Sequence, residues 1–168
     1  EEVRSEEGGR RPSPRPPAGT TLTARGSAGQ VAVVASGRIQ EWVAGAWQPV
    51  ALRSGDEGWD PARITALTYD AKWRLWVGSS QGVAVREAGG AWRFIDPARG
   101  LPVLGITSMA AAPDGSMWIG TTRGAIRIAG DRIEYRQGRR WLPGDHIRGV
   151  TVDAEGTAWF DTDRGPGG

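Results

Sequence analysis

Cysteine is absent from this 168-residue chain, and histidine occurs once, as His146. Without thiols there is neither a disulfide framework nor a thiolate metal site, and either side of a membrane tolerates their absence. One histidine cannot supply the convergent imidazoles and carboxylates of a metal centre or an acid–base apparatus, so neither a cofactor nor an enzymatic activity is expected. Lysine is almost as scarce, since Lys72 is the only one among 21 basic residues. The arginines that replace it are scattered, and the net charge is only +2. Their densest group, Arg132, Arg136, Arg139 and Arg140, reads as a solvated strand end and loop, so no nucleic-acid partner is expected. No apolar run approaches the ~20 residues of a membrane helix. The chain opens on Glu1-Glu2 without methionine or a basic leader, which reads as an excised or processed piece.

Prolines at 12, 14, 16 and 17 punctuate residues 1–19, whose only other apolar side chains are Val3 and Ala18. Such a segment cannot offset its ordering entropy by burial and reads as a disordered Pro/Arg/Glu-rich linker. From residue 20 the chain repeats itself. Trp76, Trp118 and Trp159 stand 42 and 41 residues apart, each with an isoleucine 12 before it (Ile64, Ile106, Ile147) and a glycine 6 after it (Gly82, Gly124, Gly165). A fainter copy lies upstream, with Val31 in the tryptophan place, Gly37 in the glycine place and Trp47 echoing Trp92. Short β-forming runs at 64–69, 74–77, 82–85 and 91–95 alternate with Gly, Asp and Ser, and nothing reads as a helix. Pro113-Asp114-Gly115 is a hairpin turn between the first two strands of its copy.

A period of about 40 to 45 residues holding four antiparallel strands is that of a propeller blade. The expected fold is all-β, a partial β-propeller of about three and a half four-stranded antiparallel blades, forming an open arc or a fragment of a larger ring. The blades fall at about 20–57, 58–99, 100–140 and an incomplete 141–165, followed by a tail at 166–168. The last copy is expected to keep only its first two strands, because Pro166 stands where a third should begin. The repeated residues Trp76, Trp118, Trp159, Gly82, Gly124 and Gly165 then have structural work. The ring of each tryptophan fills the wedge between neighbouring sheets.

These residues resemble the two-component regulator propeller repeat. Its pattern runs Leu-Pro, a short gap, a β-branched residue, then Asp-x-x-Gly-x-Leu-Trp-Ile-Gly-Thr-x-x-Gly. The fullest copy is Leu101-Pro102, Ile106, Gly115, Met117-Trp118-Ile119-Gly120-Thr121 and Gly124. Departures are Ala112 for Asp, Trp73 for the turn Gly, Leu104 and Asp145 for Asn, and Phe160-Asp161 for Ile-Gly. The resemblance implies a sensor region of a bacterial signalling protein or an exported propeller, hence a periplasmic or extracellular location, with further blades or a downstream domain as its natural partners.

The propeller connections place two kinds of loop on one face: those entering each innermost strand and those joining second to third strands. They carry the candidate ligand-binding residues Trp59, Arg63, Arg99, Arg123, Trp141, Asp145, His146 and Arg164. Arginines, indoles, carboxylates and hydroxyls together suit a small polar or anionic ligand, such as a glycan, or a partner protein. Loops are polar in any case, and Trp59 and Trp141 are as well explained by packing. Asp145 beside His146 is a loop pair, because chain neighbours seldom form a working dyad. Gly120–Gly124 lacks the following helix of a phosphate cradle, and Asp153, Asp161 and Asp163 lack the spacing of a calcium hand. The expected function is a non-catalytic recognition module; a fragment of a propeller lyase or hydrolase and a scaffold for assembly remain as alternatives.

Overall fold

The computed structural model describes residues 13–168. Four consecutive antiparallel sheets follow one another along the chain. The first holds β1 (Thr20–Arg25), β2 (Val31–Ala35), β3 (Arg38–Val43) and β4 (Ala46–Val50). A hairpin of β5 (Arg53–Ser54) and β6 (Glu57–Gly58) precedes the second sheet, which holds β7 (Ile64–Tyr69), β8 (Leu75–Ser79), β9 (Gly82–Arg86) and β10 (Trp92–Ile95). The third is β11 (Ile106–Ala111), β12 (Met117–Thr121), β13 (Gly124–Ala129) and β14 (Arg132–Arg136). The last is β15 (Ile147–Val152), β16 (Ala158–Thr162) and β17 (Gly165–Gly167). The only helical turns among the described residues are two three-residue 3-10 turns, Pro61–Arg63 and Pro97–Arg99. The innermost strands β1, β7, β11 and β15 lie side by side in that order, so the sheets form an arc of propeller blades.

Pairing corrects three details of the sequence reading. Pro166 does not end the last blade, because β17 pairs with β16 through Asp161–Pro166 and Thr162–Gly165. As the sheet edge, β17 can hold a residue that donates nothing to a ladder. In the first sheet Thr20 pairs with Ala35 and Ala24 with Ala32, matching Ile64–Ser79 and Thr68–Trp76 in the second. Ala32, not Val31, therefore occupies the tryptophan place, and Arg38, not Gly37, the glycine place. A one-residue slip reverses which face a strand presents, and with no tryptophan in β2 nothing in the sequence pinned it. The linker expected over residues 1–19 lies outside the described residues up to position 12. Within Ser13–Gly19, Trp47 Nε1 donates to the Arg15 carbonyl at 3.0 Å and Thr20 Oγ1 to the Pro17 carbonyl at 2.7 Å.

Each interface between blades is built from the same strands, with Ala32 and Val34 at the first where the later two have a tryptophan and a glycine. Ala24, Ala32, Val34 and Ile39 of the first sheet meet Leu67, Tyr69, Leu75, Val77 and Phe94 of the second. Trp76, Val83 and Val85 meet Met117, Ile119 and Ile126 of the third. Trp118 and Ala125 meet Val150, Ala158 and Phe160 of the last. The tryptophans grade accordingly: Trp76 is 1% exposed, Trp118 is half-buried with its ring 5.7 Å from Phe160, and Trp159 is 52% exposed. Trp159 thus departs from the wedge expected of it, because no sheet follows it among the described residues.

The repeated isoleucine and the glycine after the tryptophan interlock. A Cβ on Gly78 would lie 2.7 Å from Ile106 Cγ2, and one on Gly120 would lie 2.5 Å from Ile147 Cγ2. Beside each contact, Thr65 Oγ1 donates to the Ile106 carbonyl and Thr107 Oγ1 to the Ile147 carbonyl, both at 2.7 Å. Gly82 and Gly124 start the third strands at φ 144° and 120°, where a Cβ would strike the carbonyls of Ile95 and Arg136. Gly165 holds the same place at φ 110° with nothing near it.

Candidate functional site

Turns between second and third strands share one construction. The hydroxyls of Ser79, Thr121 and Thr162 accept from the backbone N–H of Gln81, Arg123 and Arg164 at 3.0, 3.0 and 3.2 Å. These hydroxyl-bearing residues are buried, so each turn is anchored in the blade; Arg123 and Arg164 are exposed, while Gln81 Oε1 accepts from Asp60 N at 3.1 Å. Arg123 and Arg164 are therefore equivalent positions of adjacent blades.

The connection from β14 to β15 is held as firmly. Leu142 is 3% exposed in the core under the last blade. The Gly138 carbonyl accepts from the N–H groups of Trp141 and Leu142 at 2.9 and 3.0 Å, while Asp145 Oδ1 accepts from Gly138 N at 2.7 Å. Asp163 N donates to the His146 carbonyl at 3.0 Å, tying this connection to the neighbouring turn. A cleft of about 340 Å³ results, lined by Thr122, Arg139, Asp145, His146, Asp163 and Arg164 together with backbone at Gly138 and Gly144. Arg139, His146 and Arg164 are exposed, and neither arginine pairs with a carboxylate among the described residues.

Of the eight residues proposed from sequence, Asp145, His146 and Arg164 come together in this cleft. Asp145 is the one that shapes it. Trp141 lies outside the lining, half exposed, with the Arg136 and Arg140 guanidinium carbons 4.6 and 5.4 Å from its ring centre. Arg123 is exposed beside Thr122, and its carbonyl accepts from the Tyr135 hydroxyl. Burial, with the Asp145 charge behind it, pushes the Tyr135 phenol up. The other three belong to the second blade. Trp59 packs on Phe94 at 4.8 Å between ring centres, and Arg99 pairs with Glu57 at 2.8 Å and Asp96 at 3.1 Å. The exposed Arg63 contributes a carbonyl to Ser80 N at 3.2 Å. Arg139 and Asp163 were not singled out as ligand residues. Nothing in the sequence separates Arg139 from its neighbours Arg136 and Arg140, which the fold turns onto Trp141.

At the opposite end of the arc, the turns from first to second strands of all four blades border one hollow that includes Ser27, Asp70, Pro113 and Asp153. Asp70 Oδ2 accepts from Trp76 Nε1 at 2.8 Å and Arg74 Nε at 2.7 Å, while its other oxygen accepts from the N–H groups of Lys72 and Arg74. Burial would raise this carboxyl, but those donors hold it below its ordinary value. Asp153 repeats the arrangement on Trp159 Nε1 at 3.1 Å. The repeated aspartate is thus a brace for the tryptophan. No group of three or more His, Cys, Asp or Glu among the described residues is placed to hold a metal ion.

Consecutive four-stranded sheets arranged about an axis define a β-propeller, of which this chain makes an arc. Residues 100–123 match the model of the two component regulator propeller repeat. No curated protein matches the sequence. Among solved structures, the extracellular domain of the proposed hybrid two component system BT4673 from B. thetaiotaomicron is similar at TM-score 0.67 and 17% identity, over 88% of this chain and 21% of that one. The corresponding domain of BT3049 from the same organism gives TM-score 0.64 and 16% identity, over 84% and 20% of the two chains. Virginiamycin B lyase from Staphylococcus aureus gives TM-score 0.64 and 19% identity, over 89% and 50%. The chain thus spans about a fifth of these extracellular domains and half of the lyase. No helix among the described residues is long and apolar enough to cross a membrane.

Proposed function

We propose that this chain is a non-catalytic recognition segment of a larger sensor-type or exported bacterial protein, and that it binds a polar or anionic ligand in the cleft between its third and fourth blades. The carrying observation is the convergence of Arg139, His146 and Arg164 on one cleft whose backbone is fixed by Asp145 and the Thr162 turn. Two guanidinium groups without carboxylate partners among the described residues offer planar donors suited to carboxylate, sulfate or phosphate. The exposed hydroxyl of Thr122 adds a neutral donor of the kind that recognises sugars. The match to the regulator repeat and the likeness to extracellular sensor domains support a periplasmic or extracellular setting.

The likeness to virginiamycin B lyase favours a second reading, a piece of a propeller lyase. His146 is then the candidate base. Among the described residues no hydrogen bond joins its imidazole to Asp145, whose Oδ1 accepts from Gly138 N instead. Titrating a glucuronate-containing disaccharide and its neutral glucose counterpart against the chain tests the proposal. Preferential binding of the uronate, lost about tenfold or more in Arg139→Ala and Arg164→Ala but retained in Arg63→Ala, is expected. Equal binding of both sugars, or loss in none of the variants, contradicts it.

A further inference from the structure

The two ends of the arc are built differently. In β2, Ala32 and Val34 face the second sheet, so strand alternation turns Val31, Val33 and Ala35 to the opposite side. They are nevertheless only 6, 0 and 2% exposed. Ser13 and Pro14 border Trp42 on that side, and Trp47 holds Arg15. The first blade is covered.

The last blade is not. Burial along β16 alternates, with Ala158, Phe160 and Thr162 turned inward and Trp159 and Asp161 outward. Trp159 keeps the brace of Asp153 that Trp76 receives from Asp70. Around it Gly149, Thr151, Asp161 and Pro166 border a shallow apolar hollow. At the two preceding interfaces the equivalent face receives the innermost strand of the next blade, with an isoleucine seated on a glycine.

One element of that seat is changed. Pairing of Thr162 with Ile147 and of Thr121 with Ile106 shows that Asp161 occupies the place of Gly120, opposite Gly149 where Ser108 stands opposite Gly120. Arg148 likewise stands where Thr107 bridges to the following blade. An isoleucine entering over Asp161 would meet a side chain, as Ile64 does with Val34 in the equivalent place at the first interface, and would bury a carboxylate that forms no ion pair among the described residues. A cation at that position would satisfy it.

We propose that the Trp159 face docks one further antiparallel blade, whose innermost strand enters with lysine or arginine where Ile106 and Ile147 enter at the internal interfaces. Continuity with those interfaces, the preformed Asp153–Trp159 brace, and the closed first face all point to this occupant. The similar sensor and lyase propellers extend well beyond this chain's length.

The test completes the last blade in its own register: residues 1–164 continued by residues 124–168, since Gly124 and Gly165 are equivalent. The duplicated Ile147 is kept or changed to Lys, each with Asp161 or Asp161→Gly. Hydrogen exchange of segment 147–163 is read against the original full chain, with segments 75–79 and 117–121 reporting that the core is folded. Expected is at least tenfold slower exchange for the Lys entry with Asp161, and a reversal to the Ile entry with Asp161→Gly. Equal protection in all four combinations overturns the charge complementarity. Protection in none, with the core folded, overturns the docking face. Protection in the original chain that rises with protein concentration makes the occupant a second copy and overturns the proposal.

Discussion

The three repeated tryptophans occupy one structural position at three depths, and this grading makes their energetics predictable. Trp76 is enclosed between two complete blades, so Trp76→Ala is expected to cost about 3 to 5 kcal/mol. Trp118→Ala should cost roughly 2 to 3 kcal/mol, because its partner blade leaves part of the ring in solvent. Trp159→Ala should fall within about 0.5 kcal/mol of the parent. Denaturant melts of the three variants check the order, and an equal cost for all three would refute the interface assignment. Two carboxylates carry a second prediction. Burial would raise Glu41, but hydrogen bonds from Arg86 and Tyr69 and the Arg86 charge hold it below its ordinary 4.5, as Trp76 and Arg74 hold Asp70 below 3.8. The Arg86 pair is bidentate at 2.7 and 2.9 Å and joins the first blade to the second. Because both folded values are depressed, their stabilisation is present above the ordinary values and is lost as pH falls through the folded ones. The melting temperature should therefore be nearly flat from pH 7 to about 5 and fall steeply below about 4. Glu41→Gln should lower it at pH 7 and reduce the acid-side fall; an unchanged acid limb would remove Glu41 from this role.

At the scale of strands and turns, the legible parts were those with a chemical marker in every copy. The strand at Ile64–Tyr69 and the third-strand glycines follow from repeated residues at a fixed period, the hairpin at Pro113–Gly115 from the turn chemistry of its own residues, and the fold uses each as expected. The first blade lacked the tryptophan, and its register slipped by one residue in the sequence reading as a result. Pro166 misled in the other direction, because a proline excludes a central strand but not a short edge. Half of the cleft was legible because the connections of a propeller assign loops to faces before any side chain is known. Arg139 was not, since choosing among Arg136, Arg139 and Arg140 depends on the rotation of a loop set by Gly138, Asp145 and Leu142. The hydroxyl bridges between blades offer a test at this scale. Thr107→Val keeps the shape but leaves the Ile147 carbonyl without its donor, and should cost about 1 to 2 kcal/mol by chemical denaturation. A neutral substitution would show that the bridge is not used. Removing residues up to Ala18 should lower the melting temperature by a few degrees through exposure of Val31 and loss of the Trp47–Arg15 hydrogen bond, as scanning calorimetry would show.

Across the whole molecule, the proposed function and the architecture meet at the junction of the third and fourth blades. The cleft draws its lining from the β12–β13 turn, the β14–β15 connection and the β16–β17 turn, so it exists only when both blades are docked. Trp118 against Phe160 and Thr107 on Ile147 hold that junction at the level of the core. Ligand binding should accordingly stabilise the last blade more than the first two. A propeller gives two distinct ends, and here they differ in chemistry: one carries the exposed arginines of the cleft, the other the aspartate braces of the tryptophans. Hydrogen exchange with and without a saturating glucuronate-containing disaccharide separates these ends in one experiment. The account predicts slowed exchange confined to about residues 138–146 and 162–165, with residues 70–74 and 112–116 unchanged. Slowing at the aspartate-braced end instead, or nowhere, would contradict the assignment of the cleft as the recognition site.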